Sequence, residues 1–189
     1  FDKETADSEE STNLMPNTTS KSLFKPTTFA IALKGTVKPL SSAEDAAFAN
    51  GVLGKGVLII PSEGKVIAPC DGELTTLFES GHAIGITTDT GLEVLIHVGK
   101  ETVQLEGKHF TKIKKQGDRL TKGEVIIEFD KQAIEDLGYN IETPVLVTNS
   151  DAFFEILPTN ATQVDYYDTL ITAIPYQSET TGQPVGGLA

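Results

Sequence analysis

The stretch Phe78-Glu79-Ser80-Gly81-His82-Ala83-Ile84-Gly85-Ile86-Thr87-Thr88-Asp89-Thr90-Gly91-Leu92-Glu93-Val94-Leu95-Ile96-His97-Val98-Gly99 decides how this chain folds. Two β-rich runs flank one turn signal, which is the pattern of an antiparallel hairpin. Each run carries a histidine, and the two lie fifteen residues apart. An even-length connection, Thr88 to Gly91, sets His82 directly across the ladder from His97. Cross-strand neighbours have Cβ atoms about 5 Å apart. Two imidazoles that close can act together on one small anion or one metal. A three-residue Asp89-Thr90-Gly91 loop would instead send the rings to opposite faces, because a one-residue slip flips the side-chain set.

Within Val94-Leu95-Ile96-His97-Val98, alternation puts Val94, Ile96 and Val98 on one face and Leu95 and His97 on the other. A histidine beside Leu95 on a sheet face is partly desolvated. Burial favours the neutral, nucleophilic imidazole. Glu93 shares that face, four residues before His97.

Outward from the hairpin, short β-rich runs alternate with Gly, Pro and Asp punctuation from Thr27 to Ile174. Strands are expected at 29–33, 57–60, 65–68, 73–78, 83–88, 92–98, 110–114, 124–129, 145–148, 153–157 and 170–174. One segment reads as helix, 130–137, with Asp130 as its N-cap and Gly138 as its stop. Residues 45–48 read as a helical turn. Many short strands with frequent turns point to an all-β sandwich or barrel with one or two short helices.

The flanks differ. Residues 1–26 are polar and acidic and read as a linker, and 175–189 read as a Gly-, Gln- and Thr-rich tail. The chain starts at Phe1 rather than Met, so it is expected to be a piece of a longer chain. It has 189 residues and a formal net charge of −12. That charge argues against nucleic-acid binding, which needs a basic face. It suits a soluble partner with a basic docking surface. No apolar run approaches the ~20 residues of a membrane span.

One cysteine rules out an internal disulfide and a Cys-rich metal site. Cys70 sits at an Asp-Gly turn beside a carboxylate and reads as a small packed residue rather than a nucleophile. His109 reads as an exposed loop residue. There is no Ser-His-Asp triad, Gly-rich phosphate loop or His-Glu-x-x-His helix. A catalytic zinc of the peptidase kind would need a His-x-His pair, and none exists.

Six ordered segments carry a resemblance. They are Gly56-Val-Leu-Ile-Ile-Pro-Ser-Glu-Gly-Lys-Val-Ile-Ala-Pro-Cys-Asp-Gly72, His82-Ala-Ile-Gly-Ile86 and Glu93-Val-Leu-Ile-His-Val-Gly99 with Thr102-Val-Gln-Leu-Glu-Gly107. Gln116-Gly-Asp-Arg-Leu-Thr-Lys-Gly-Glu-Val-Ile-Ile-Glu-Phe-Asp130 and Thr143-Pro-Val-Leu-Val-Thr-Asn149 follow. Together they resemble the glucose-class enzyme IIA domain of the bacterial sugar phosphotransferase system, over about Thr27 to Ile174.

The resemblance implies an antiparallel β-sandwich of the barrel-sandwich type in a cytoplasmic phosphotransferase without cofactor or metal. His97, in the Ile-His-Val-Gly motif, takes the phosphoryl group. His82 orients and stabilises it. Ser80, two residues before His82, supplies a hydroxyl that helps hold the active histidine; the family commonly has Thr there. The phosphoryl donor is the histidine phosphocarrier protein, and the acceptor is a cysteine of a cognate enzyme IIB. In the alternative role, the domain is fused to a sugar–cation permease and its phosphorylation tunes transport. A docking ring of Phe48, Val52, Leu53, Phe78, Leu95 and Val103 is implied, with Asp45 and Glu101 as an acidic rim.

Overall fold

The computed structural model describes residues 25–177. The segments read as linker and tail, 1–26 and 175–189, fall mostly outside the described residues. The strands are β1 (Thr27–Ala30), β2 (Gly35–Pro39), β3 (Lys55–Pro61), β4 (Lys65–Ile67), β5 (Gly72–Leu77), β6 (Ala83–Thr88) and β7 (Glu93–His97). They continue as β8 (Phe110–Lys112), β9 (Arg119–Leu120), β10 (Val125–Phe129), β11 (Thr143–Val147), β12 (Glu155–Pro158), β13 (Gln163–Val164) and β14 (Thr169–Ile174). Two short helices, α1 (Ala46–Ala49) and α2 (Lys131–Asp136), and three 3-10 turns complete the elements among the described residues. The fold is all-β, and every strand pairing is antiparallel.

The strands form three sheets: β1-β14-β12, β4-β10-β8 and the large β13-β2-β3-β11-β7-β6-β5-β9. All three turn apolar side chains onto one core, with Phe29 and Ile171 from the first, Val66 and Ile127 from the second, and Val57, Ile84, Ile96 and Val145 from the third. Burying such side chains is worth roughly 1.5–3 kcal/mol each. Three strands were not legible. β2 is bounded by Gly35 and Pro39, which read as punctuation, and β9 and β13 have two residues each. The helix expected at 130–137 forms as α2, capped by the Asp130 carboxylate accepting the Ala133 N–H.

The outer face of the large sheet carries a second, smaller core. Alternation turns Leu58, Leu146 and Leu95 away from the main interior, and Leu40, Ala43 and Phe48 pack over them. Phe48 comes from α1, whose N-cap Asp45 accepts the Ala47 N–H. A four-residue helix is too short to persist alone. It is held by this apolar contact, and it forms a wall over the end of β7.

The β6–β7 hairpin differs from the expected register. Ala83, not His82, faces His97, and the pairs continue through Thr87 opposite Glu93. The Thr88 N–H bonds to the Leu92 carbonyl, so the connection is the three-residue Asp89-Thr90-Gly91 loop. Strand alternation alone would then separate the two rings. It does not apply, because His82 precedes β6 and follows Gly81, whose φ is +76°. That left-handed residue redirects the chain, and His82 takes its direction from the turn and not from the pleat.

Candidate active site

Alternation along β7 buries Val94 and Ile96 in the main core and sends Leu95 and His97 to the outer face. There the His97 ring meets Phe48 of α1, with ring centroids 5.3 Å apart. The His82 ring meets the His97 ring in a T-shaped contact, with centroids 4.9 Å apart. Phe78 in turn sets its edge against His82 at 5.5 Å. The four rings form a row in the order Phe48, His97, His82, Phe78.

Each imidazole is held through Nδ1. The His97 Nδ1 lies 2.9 Å from the Gly99 carbonyl oxygen. A carbonyl only accepts, so Nδ1 carries the proton and Nε2 keeps its lone pair. Gly99 has φ +76°, and a Cβ there would lie 2.4 Å from Thr102 Cγ2, so only glycine turns the chain at this point. The buried Thr102 hydroxyl donates to the Val98 carbonyl and stiffens the same turn.

The His82 Nδ1 lies 2.6 Å from Ser80 Oγ. Ser80 therefore bonds His82, and not His97 as the resemblance implied. With Nδ1 engaged, Nε2 is the free nitrogen of His82 as well. His82 is only 2 % exposed, deeper than a partly open site requires, while His97 is half-buried.

Electrostatics favour two neutral rings. Burial, with a smaller contribution from neighbouring His97, pushes the His82 pKa down to about 4. Burial also lowers the His97 pKa, against the opposing Gly99 hydrogen bond and the Asp45 charge. At neutral pH, then, His97 presents an unprotonated Nε2 and His82 an uncharged ring. Two imidazoles leave a zinc short of its usual four ligands. Among the described residues no cluster of three or more His, Cys, Asp or Glu could hold a metal.

The residues of the implied docking ring separate into two kinds. Val52, Leu53, Phe78 and Val103 are exposed, Val52 at 79 %. Phe48 is 6 % exposed and faces down from α1 onto the sheet, so it is a wall of the site and not part of the open ring. Leu95 is half-buried beneath it. Asp45 is half-buried at the α1 N-cap, and Glu101 is exposed at a left-handed turn with φ +58°.

The other candidates lie apart from the pair. Glu93 makes its side-chain bond with Thr148. His109 is half-buried, not exposed, at φ +73°, and lines a groove with Glu63, Lys65 and Glu128 that includes neither His82 nor His97. Burial and the charges of Asp71 and Asp89 raise the Cys70 pKa to about 11, so its thiol stays protonated. Sequence reasoning missed Glu44, Asn140 and Glu142, whose hydrogen bonds brace the walls around His97. Glu142 was readable only as an acidic residue within the apolar run Ile141 to Val147.

Residues 27–153 match the family described as phosphoenolpyruvate-dependent sugar phosphotransferase system, EIIA 1. The chain is 49 % identical over 121 residues to the PTS system beta-glucoside-specific EIIBCA component of Bacillus subtilis (strain 168). That match covers 64 % of this chain and 20 % of the relative, so the chain spans about a fifth of its length. It is 42 % identical over 125 residues to the PTS system glucose-specific EIIA component of Bacillus anthracis, covering 66 % of this chain and 76 % of the relative. Among solved structures it superposes on glucose permease IIA from Mycoplasma capricolum with a TM-score of 0.70 and 28 % identity, covering 78 % of this chain and 96 % of that one. The chain belongs to the EIIA 1 family of the phosphoenolpyruvate-dependent sugar phosphotransferase system.

Proposed function

We propose that this domain is a phosphocarrier: His97 accepts a phosphoryl group from the histidine phosphocarrier protein and passes it to a cysteine of an enzyme IIB, in support of sugar uptake. The observation that carries this reading is the His97 Nδ1–Gly99 carbonyl bond, which leaves Nε2 as the free nucleophile. The Nε2 lone pair attacks phosphorus in line. The P–N bond to the donor imidazole breaks, and its electron pair stays on the donor. In the second step a thiolate attacks the phosphorus, and the His97 imidazole leaves. Nothing is oxidised or reduced in either step.

His82 stabilises the charge on the equatorial oxygens. For its Nε2 to donate a proton to the phosphoryl group, its Nδ1 must accept from the Ser80 hydroxyl, which lies 2.6 Å away and can donate. An uncharged ring donates without holding the phosphoryl group too tightly for onward transfer. Catalysis here is positioning and charge stabilisation.

The exposed apolar residues Val52, Leu53, Phe78 and Val103 serve as the docking ring, with Glu101 on its rim. Apolar groups rimmed by polar ones suit a protein partner that must bring its own phosphohistidine close. The fused beta-glucoside relatives, named EIIBCA, favour transfer to an IIB partner over the permease-tuning role. Among the described residues no helix is long and apolar enough to cross a membrane, which says nothing of a β-barrel. We place the domain in the cytoplasm, as a free subunit or as part of a larger transporter.

Incubation with phosphoenolpyruvate, enzyme I and the histidine phosphocarrier tests the reading. One acid-labile phosphoryl group per chain, absent from His97→Gln, is the expected result.

A further inference from the structure

Glu142 is 6 % exposed, and none of the ion pairs among the described residues includes it. Burying an ionisable side chain costs free energy unless its hydrogen bonds offset the lost water. The bonds of this residue point two ways. Its Oε1 accepts the backbone N–H of Glu44 at 2.7 Å, across 98 residues of sequence. Its backbone carbonyl accepts the N–H of Gly99 at 3.1 Å.

Those two partners belong to the two halves of the His97 site. Gly99 supplies the carbonyl that fixes the His97 tautomer. Glu44 leads directly into Asp45 and α1, whose Phe48 lies against the His97 ring. Asn140 repeats the pattern beside it. Its carbonyl accepts the Lys100 N–H at 2.9 Å, while its side-chain Nδ2 donates to Glu44 Oε2 at 2.6 Å. Its Oδ1 accepts the Glu142 N–H at 3.0 Å, so Asn140 and Glu142 brace each other. Lys100 Nζ, 3.9 Å from Glu44 Oε1, adds a loose ion pair across the same gap.

We propose that Glu142 is a positioning residue that anchors α1 through the Glu44 backbone and so holds Phe48 on the His97 ring. The consequence for transfer rests on His97 being the phosphoacceptor. The two bonds of Glu142 differ in kind, and that makes the role separable. Its side chain holds the Phe48 wall, whereas its backbone holds Gly99. Removing the side chain releases the first and leaves the second.

The test uses the whole chain with Glu142→Ala and Glu142→Gln, the latter keeping an acceptor oxygen. Two readouts are taken by NMR: the nuclear Overhauser contact between the Phe48 and His97 rings, and the 15N shifts that report the His97 tautomer. A third is the single-turnover rate of phosphoryl acceptance. In Glu142→Ala the ring contact weakens, the tautomer stays Nδ1–H and acceptance slows about tenfold, the cost of one lost buried hydrogen bond. Glu142→Gln restores the ring contact and at least a third of the rate. A wild-type ring contact in Glu142→Ala overturns the inference, as does a weakened contact with an unchanged rate.

Should the amide spectrum show Glu142→Ala unfolded, Glu142→Asp carries the same test, because its carboxylate, one methylene shorter, no longer reaches the Glu44 N–H. A weakened ring contact and a rate about threefold lower are expected there, and unchanged values of both overturn the inference. If the wild-type chain takes no phosphoryl group at all, the carrier reading fails. The ring contact still decides whether Glu142 places Phe48.

Discussion

The Nδ1 of His97 and the carbonyl oxygen of Gly99 are 2.9 Å apart, and this one contact determines which nitrogen can react. The bond spans two residues and is closed by a backbone turn that only glycine makes easily. In the proposed mechanism the nucleophile is therefore prepared by main-chain geometry rather than by a neighbouring base. A base would be redundant for an imidazole already neutral at pH 7.

Gly99→Ala tests that turn. The new Cβ meets Thr102 Cγ2 at 2.4 Å, and the φ of +76° is unfavourable for alanine. A loss of roughly 1–3 kcal/mol in unfolding free energy is expected. Urea denaturation measures it. Imidazole 15N shifts should show His97 as a mixture of tautomers, and a single Nδ1–H form in the variant would contradict the proposed lock.

In the proposed mechanism Ser80 acts through His82, whose Nδ1 it touches. Ser80→Ala frees the His82 Nδ1 and should slow onward transfer to IIB about tenfold, in line with one hydrogen bond of about 1–1.5 kcal/mol. Ser80→Thr keeps the hydroxyl and should transfer normally. His82→Gln should still accept the phosphoryl group at His97 but lose roughly 10²–10³ in onward transfer. Rapid-quench measurement of both half-reactions separates these outcomes. Unchanged onward transfer in His82→Gln would remove His82 from the mechanism.

Stability should fall in acid through the same histidine. The folded pKa of His82, about 4, lies below the unfolded value of about 6.5. Between these values the unfolded chain binds the extra proton. The contribution of His82 is thus fully present above about pH 6.5 and is lost as pH falls toward 4. Between pH 7.5 and 4.5 that amounts to roughly 2–3 kcal/mol. Carboxylates also titrate near the lower limit, so the informative quantity is the difference in pH slope between wild type and His82→Gln. Equal slopes would contradict the burial-driven shift.

The exposed ring makes a different prediction. Val52 is 79 % exposed, so Val52→Glu should leave the unfolding free energy within about 0.5 kcal/mol. A buried charge at the partner interface should nevertheless raise the KM for the phosphocarrier roughly tenfold or more, with kcat little changed. Phe78→Ala should affect both constants, because Phe78 also packs on His82. A wild-type KM in Val52→Glu would exclude that residue from docking.

Legibility followed the physics of each element. The hairpin was readable from β-rich runs around one turn, and the outward placement of Leu95 and His97 followed from alternation in β7. The register was misread because the loop around Asp89 has an odd number of residues. The proximity of the two rings arises from a single left-handed residue, Gly81, whose effect no periodicity records. Phe48 was readable as apolar but not as buried, since its contacts with Leu58 and Leu146 come from distant strands. The partners of Glu142 were illegible for the same reason: Glu44 and Gly99 are neighbours only after the sheet has formed.

The central claim is that His97 Nε2 is the phosphoacceptor, and a 1H–15N–31P correlation spectrum of the domain phosphorylated through phosphoenolpyruvate, enzyme I and the phosphocarrier tests it most directly. The account predicts one phosphorus coupled to Nε2 of His97, with Nδ1 still protonated and no label on His97→Gln. Phosphorus on Nδ1, on His82 or on His109 would contradict it.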